Sequence, residues 1–542
     1  MCGIFLMVTR IHEDVSEDYN DIIELINVRG PDGSSTIEII MKEVKLKICC
    51  SVLHLRGKGE ATLQPLENDQ GDLLCWNGEV WNGLGIKFTD NDTIQVMNAL
   101  SKPFTNVIDI IREIEGPYAF IFIEKSKERL WYGRDCLGRR SLLKKTSTEI
   151  CDSFCFLLSS VSNGDPSWEE VFADGLYFVD LSLISENKLF EKKIPYIYDF
   201  DQFSDLYLTY PYPRINTSLE SVSTEDLDLY VEEFYNVLKQ ALYIRTVSVF
   251  STSTDQPRLA ILYSGGLDSS VLARIIHEIL PVNEPVDLLN VAFENFQVSA
   301  QKTDSTDLDD IYNCPDRITG INAYKELCKI TGNKRPWRFV QINVPYFESN
   351  DHKPTIIKLM HPNDTVMDLS IAMAFYFASR GQGLLRCTNN SLLEYNSVSK
   401  VLISGKVYYR ADEQLGGYSR YLKKYIKGGW LDVIEELSCN ISRLSYRNLG
   451  RDDRIVSHHG KEIRYPYLDE NVMRFLSKLP VQGKMNFNIE NGEKLLLRKL
   501  SRKLGLIYSS KEKKRAIQFG SRSAKMQLSN KKISGTNKLE KD

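Results

Sequence analysis

The chain opens Met1-Cys2-Gly3-Ile4, and Cys2 is a residue type in a place that can do amide chemistry. Once Met1 is removed, one residue carries both a thiol and a free α-amine. The thiol is nucleophilic, and the amine, with a pKa of about 7.7–8.0, can act as its base. Such a residue attacks an amide without a separate histidine. Asn77-Gly78-Glu79 follows the apolar run Leu73–Trp76. An asparagine amide and a glycine N–H are suitable donors to the oxyanion such an attack creates. His54-Leu55-Arg56 supplies a guanidinium, and an arginine with carboxylates is what a zwitterionic amino acid requires. Arg29-Gly30-Pro31-Asp32 reads as a tight turn, its proline presetting φ.

A second group of chemistry-bearing residues lies at Tyr263-Ser264-Gly265-Gly266-Leu267-Asp268-Ser269-Ser270. It follows a buried-strand pattern and opens a helical one. Gly265 and Gly266 let the backbone turn sharply and approach a ligand. The N–H groups of a helix start, with the hydroxyls of Ser264 and Ser269, favour a pyrophosphate. Asp268 does not favour a bare phosphate, so a bridging Mg²⁺ is the natural companion. The lysine of a Walker A loop and the glycine spacing of a dinucleotide fingerprint are both missing.

Two different scaffolds must position these groups. The first half is short β-rich segments, Leu46–Leu53, Leu73–Trp76, Tyr118–Ile123 and Arg129–Tyr132, broken by Gly, Asn, Asp and Pro. Helices are expected at Asp18–Asn27 and Thr93–Leu100. This mixture predicts an α+β sandwich. The stretch around 206–224, rich in Tyr, Pro, Ser and Thr, reads as a connector. Beyond it, Glu225–Val247 has helical periodicity, and strands alternate with helices: Leu259–Tyr263, Ser269–Ile279, Val286–Phe293, Ile321–Thr331, Arg338–Val344 and Met367–Ser379. That alternation predicts an α/β parallel sheet. Domains are therefore expected at residues 1–205 and 225–525, followed by a disordered tail over 526–542. Ser251–Pro257 reads as a loop insert, and Lys511–Arg515 as a solvated charge run.

Bulk composition narrows the class. The chain has 542 residues, 42% hydrophobic and 26% charged, with a net charge of −4. A balance so near neutral gives no drive toward nucleic acid or an anionic membrane. No apolar run approaches the ~20 residues of a membrane helix, and no secretory signal pattern is present. The 11 cysteines are scattered without paired spacing, which favours a reduced, cytoplasmic setting.

In order and spacing, Cys2-Gly3-Ile4, the Arg-Gly-Pro-Asp turn, the His-x-Arg segment, Asn77-Gly78-Glu79 and Arg134-Asp135 with Gly138 resemble class II glutamine amidotransferases. The resemblance implies an N-terminal-nucleophile four-layer sandwich. It makes Cys2 the nucleophile on the glutamine amide, Asn77 and Gly78 the oxyanion donors, and Arg56 the partner of the glutamine carboxylate. Glu79 and Asp92 would bind its α-amine. The serine–glycine loop resembles that of enzymes cleaving ATP between its α and β phosphates. Glu225 to about Lys525 is similar to the synthetase domain of the asparagine synthetase family. The matches include Ala411-Asp412-Glu413 with Gly416-Gly417-Tyr418, Arg451-Asp452-Asp453-Arg454, Arg464-Tyr465-Pro466-Tyr467-Leu468-Asp469 and Glu493-Lys494. Pro315–Gly320 and Ala516–Arg522 look like the eukaryotic branch of asparagine synthetase domain-containing proteins. An ATP-pyrophosphatase-type domain is implied, with Ser264, Gly265, Gly266, Leu267, Asp268 and Ser269 on ATP. Val291 and Phe293 would flank the adenine. Asp268 and Asp412 would hold Mg²⁺, and Lys494 would neutralise developing phosphate charge.

The pattern departs from the family at one place. Ser404-Gly405 is followed by Lys406-Val407-Tyr408-Tyr409-Arg410 before Ala411-Asp412-Glu413, about three residues more than the family loop, and the first family glutamate has no equivalent. Three readings follow. Glu413 or Asp412 takes that carboxylate's role; the acceptor is a carboxylate other than aspartate; or the chain is a pseudoenzyme or adaptor whose synthetase half does not turn over. The resemblance implies glutamine, aspartate and ATP as partners, with a homodimer left open.

Overall fold

The structure is a computed structural model. It describes residues 2–12, 19–57, 59–147, 154–186, 189–198, 206–250, 255–295, 308–387, 391–405, 411–443, 448–526 and 535–539. Lys406–Arg410 and most of the expected loop insert and tail lie outside the described residues. Two compact units emerge. One comprises Met1–Tyr210, Ile357–Asn363 and Leu444–Glu462; the other comprises Pro211–Ile356, Asp364–Arg443 and Ile463–Asp542.

The first unit is built on two sheets. In chain order its elements are β1 (Gly3–Arg10), α1 (Asn20–Arg29), β2 (Gly33–Met41), β3 (Val44–Val52), β4 (Leu66–Glu67), β5 (Leu73–Gly78), α2 (Asp92–Leu100) and α3 (Val107–Glu113). There follow β6 (Tyr118–Glu124), β7 (Arg129–Arg134), β8 (Leu143–Ser147), β9 (Cys155–Ser159), β10 (Glu169–Glu170), β11 (Gly175–Asp180), β12 (Glu191–Ile197) and β13 (Leu208–Thr209). One sheet has the order β10-β8-β9-β1-β3-β2, the other β13-β12-β11-β7-β6-β5-β4.

Side chains alternate across each strand, so one strand feeds two interfaces. Ile4, Leu6, Val8, Leu46 and Ile48 point between the sheets and meet Ile121, Ile123 and Tyr132. Phe5, Cys49 and Leu157 point the other way and pack on Ile22 and Ile26 of α1. Trp76, Phe120 and Phe122 pack on Val96, Ile108 and Ile111 of α2 and α3. The result is the expected helix–sheet–sheet–helix sandwich. β1 and β6 read as continuous apolar runs because both of their faces are covered. The late helix Leu449–Ser457 also belongs to this unit, and every one of its residues is buried.

The second unit begins with α4 (Thr224–Val247), started by a capping box between Ser223 and Asp226. Next come β14 (Leu259–Leu262), α5 (Leu267–Ile279), β15 (Val286–Phe293), helix Pro315–Ile330, β16 (Trp337–Val344) and helix Val366–Arg380. β17 (Gln382–Arg386), β18 (Leu392–Asn396) and β19 (Val401–Ser404) follow. From one edge the sheet runs β18-β17-β16-β15-β14-β19. β16, β15, β14 and β19 are parallel, as the alternation predicts. β17 and β18 are antiparallel additions, β17 running against β16 and β18 against β17. The helix expected at Ile321–Thr331 starts earlier, at Pro315, where proline occupies the first turn without needing a donor. Residues 535–539 of the expected tail lie against the start of helix Val366–Arg380, with Met367 N–H donating to Gly535 O at 2.9 Å.

Candidate active sites

In the first unit Cys2 stands at the head of β1, a strand flanked on both sides. The next two N–H groups are tied down: Gly3 N donates to Ser51 Oγ at 3.1 Å and Ile4 N to Ser160 Oγ at 3.1 Å. Gly3 must be small, since a Cβ there would lie 2.7 Å from Ile26 O. The Cys2 carbonyl accepts from Arg29 Nε at 3.3 Å. Arg29, last residue of α1, is held in turn by Asp453 at 2.9 Å. The Arg-Gly-Pro-Asp turn completes the support. Gly30 lies against the Ser51–Val52 backbone, where any side chain would collide, and Asp32 Oδ2 accepts from His54 N at 2.7 Å.

Cys2, Arg56, Gln64, Asn77, Glu79 and Asp92 line one cavity. The Asn77 side chain is buried and its Nδ2 has no hydrogen-bond partner, an amide donor held ready at the end of β5. Gly78 follows it with Pro117 O and Tyr118 packed where a side chain would sit. Arg56 donates to Val80 O and, at 2.7 Å, to Lys87 O, and lies 3.9 Å from Glu79. Its Nε remains unsatisfied. Asp92 accepts from Val80 N at 3.2 Å and Thr93 N at 3.0 Å. The nearby Asp90 is half-buried and is spent on Lys87 N. Burial pushes the Cys2 thiol above its ordinary value, and the Asp92 and Glu462 carboxylates add to the rise. Burial likewise raises the Asp92 carboxyl, with Arg56 opposing.

Gln64 and Glu462 are among the lining residues that escaped the sequence reading. Gln64 accepts from Trp76 N at 2.6 Å and donates to Thr93 Oγ1 at 3.3 Å, with Cys2 Sγ 3.9 Å away. Nothing in its local sequence marks it. Glu462 lines the same cavity and pairs with Arg140 at 3.0 Å. Only the fold brings it there from so late in the chain.

In the second unit the serine–glycine loop bridges β14 and α5, as the pattern predicts. Gly265 has φ +72°, and a Cβ there would strike the Thr319 carbonyl of helix Pro315–Ile330, so only glycine fits. Gly266 caps α5, and the buried Asp268 sits in its first turn. Ser264, Gly266, Leu267 and Asp268 line a cavity with Lys494 and Lys514. Ser269 is fully buried and donates to Gly266 O at 3.2 Å, bracing the turn. Val291 and Phe293 lie on β15 away from this cavity; Phe293 packs edge-on to Phe377 with centroids 5.8 Å apart.

Four charges dominate. Lys494 Nζ lies 2.6 and 2.7 Å from the two Asp268 oxygens and 2.6 Å from Asp412 Oδ1. Lys494 adopts a left-handed backbone, φ +55°, sparsely populated outside glycine and asparagine and held here by its N–H bond to Leu415 O. Lys514 pairs with the other oxygen of Asp412. Against the burial that would raise it, these two lysines hold the Asp412 carboxyl below its ordinary range. Gly417 permits the close packing, since any side chain would collide with Asp412 and Lys494. Lys514 corrects the expectation for Lys511–Arg515: its side chain is only 15% exposed, because the buried Asp412 draws it inward. Glu413 is fully buried, 3.7 Å from Arg420, and its carboxyl is pushed up to about 8 by burial and the neighbouring Asp412.

Among the described residues no group of three or more His, Cys, Asp or Glu side chains is placed to hold a metal. Two aspartates converging on one ammonium nevertheless fit Mg²⁺, which commonly takes one or two carboxylates and completes its shell with phosphate and water. No helix among the described residues is long and apolar enough to cross a membrane.

Residues 1–157 match the glutamine amidotransferase domain family, and residues 427–519 match the asparagine synthase family. The chain is 35% identical to asparagine synthetase domain-containing protein 1 of Mus musculus, with 98% of each chain covered. It is 34% identical to an asparagine synthetase domain-containing protein of Saccharomyces cerevisiae, over 94% of this chain and 90% of that one. A putative glutamine-hydrolysing asparagine synthetase of Methanocaldococcus jannaschii is 22% identical over 90% of this chain and 82% of its own.

Proposed function

The chain belongs to the family of asparagine synthetase domain-containing proteins, and on that premise we propose that it is a glutamine-dependent amidotransferase that spends ATP to amidate a carboxylate, with aspartate as acceptor and asparagine as product. The observation that carries the proposal is the cavity holding Cys2 beside the unpartnered Asn77 amide. A nucleophile and a waiting oxyanion donor are the minimum for amide hydrolysis.

In this reading Met1 is removed and the Cys2 thiol attacks the side-chain amide of glutamine. Asn77 Nδ2 and the Gly78 N–H take the oxyanion. Arg56 receives the glutamine carboxylate, and Glu79 and Asp92 its α-amine. Ammonia leaves and glutamate is freed by water. In the second unit Ser264–Ser269 cradle the phosphates of ATP, and Val291 and Phe293 border the adenine. Asp268 and Asp412 would hold Mg²⁺, whose charge would offset that of the triphosphate. The acceptor carboxylate attacks the α-phosphate, pyrophosphate leaves, and Lys494 offsets the charge on the departing group. Ammonia then displaces AMP, and in this reading the ionised form of the Glu413 carboxyl takes its proton.

The test is an assay of the purified chain for glutamate, AMP and pyrophosphate, with and without aspartate. AMP that forms only with aspartate supports asparagine synthesis. Pyrophosphate driven by a different acid moves the acceptor. Absence of turnover at both sites favours a binding adaptor instead.

A further inference from the structure

We infer that the first unit carries a second ligand site, apart from the Cys2 cavity, that takes a nucleoside monophosphate. It lies on the sheet face that packs on α2 and α3, and it stands whether or not the amidotransferase reading does.

The site is a cavity of about 510 Å³, in the size range of those that enclose drug-sized molecules. Strand register sets its floor: Trp131 of β7 lies opposite Phe178 of β11, and Phe178 opposite Lys192 of β12. The Trp131 and Phe178 ring centroids are 4.8 Å apart. Arg129 precedes Trp131 by two residues and so shares its face. The Arg129 guanidinium sits 5.6 Å from the Phe178 centroid, and the Lys192 ammonium 5.9 Å from it. Phe104 lines the cavity from the loop between α2 and α3. Its backbone is left-handed, φ +61°, a costly conformation for a bulky residue, and its ring is fully exposed. Strain that presents an aromatic ring to water points to something for the ring to cover.

Charge decides what the floor accepts. The carboxylates around it are already engaged. Glu124, opposite Arg129 on β6, pairs with Lys127 at 2.6 Å and accepts from the Trp131 indole N–H at 2.9 Å. Asp180, opposite Arg129 on β11, accepts from Ser182 N at 3.1 Å and Ser182 Oγ at 2.6 Å. Asp174 pairs with Lys193. Arg129 and Lys192 are left against one ring with no ion pair or hydrogen bond among the described residues. Two like charges so placed are best balanced by an anion shared between them. A phosphate monoester carries a charge of about −1.5 to −2 near neutral pH and offers three acceptor oxygens. The planar fork of arginine and the point charge of lysine both suit it. Phe178, Trp131 and Phe104 suit a planar base, whose stacking on aromatic rings needs no particular base identity. A base and a phosphate joined in one small molecule are a nucleoside monophosphate.

The test titrates the full chain with guanosine monophosphate, guanosine and inorganic phosphate by calorimetry. Guanosine monophosphate is chosen because the second unit is read as an adenine-nucleotide site. The series is repeated on Phe104→Ser and on the double variant Arg129→Ser, Lys192→Ser, with the thermal unfolding midpoint of each as the check that it is folded. The unaltered chain should bind guanosine monophosphate at least about tenfold more tightly than guanosine or phosphate. Phe104→Ser, which alters only a fully exposed ring, should weaken it at least about fivefold. The double variant should weaken it at least about tenfold and bring it level with guanosine. No binding by the unaltered chain at about 1 mM ligand, or binding that neither variant changes, overturns the site. Phosphate bound as tightly as the nucleotide overturns recognition of the base. None of these outcomes bears on the chemistry assigned to Cys2.

Discussion

Arg29 and Asp453 stand 424 positions apart, yet Arg29 Nη2 lies 2.9 Å from Asp453 Oδ2 and both side chains are fully buried. The pair fixes the guanidinium whose Nε supports the Cys2 carbonyl. Asp453 also accepts from Ser141 N at 3.1 Å. Removing one partner of such a pair strands the other charge away from water. Asp453→Ala should therefore destabilise the chain by about 3–5 kcal/mol, read from the urea midpoint of unfolding. A loss below about 1 kcal/mol would mean that water reaches Arg29 freely.

The Cys2 thiol should titrate above a free cysteine, because burial disfavours its thiolate and Asp92 repels it. The rate of Cys2 alkylation, followed by peptide mass spectrometry against pH, should rise to a plateau later than that of a model thiol. The sign for a neutral neighbour is opposite: Asp92→Asn removes a negative charge, lowers the thiol pKa and moves the midpoint to lower pH. A midpoint that moves upward instead would mean that Asp92 is not a charged neighbour of Cys2.

Asn77→Ala deletes a donor that has no other partner. Glutaminase kcat should fall by about 10²–10³ with KM little changed, since the interaction strengthens only as the oxyanion forms. A rise in KM alone would place Asn77 in substrate binding.

The two chemistries should separate by mutation. Cys2→Ala should abolish glutamine use and spare synthesis from free ammonia. Glu413→Gln should do the reverse, lowering ammonia-dependent synthesis by about 10²–10⁴ while glutamate release persists. Retention of synthesis by Glu413→Gln would assign the proton to another base.

Local signals were legible where the chemistry is contiguous in sequence. Strands β3, β5, β6 and β7 and the turn from β14 into α5 follow from apolar patterning and glycine placement, because those rules act over a few residues. The same holds for Cys2, Asn77 and the serine–glycine loop. Gln64, Glu462 and Lys514 carried no such signal. A glutamine in a loop and a lysine in a charged run look like surface until a buried partner is brought to them.

The sequence by itself determined which groups could do chemistry and the elements that present them, since propensity and periodicity are written in neighbouring residues. Only tertiary structure decided that Asp453 and Glu462 serve the unit of Cys2, and that Lys494 and Lys514 meet at Asp412. The physical reason is that burial turns charge pairing from optional to obligatory. In water each of these side chains would be solvated alone; inside the fold each must find a counter-charge, and which one it finds depends on how distant segments pack.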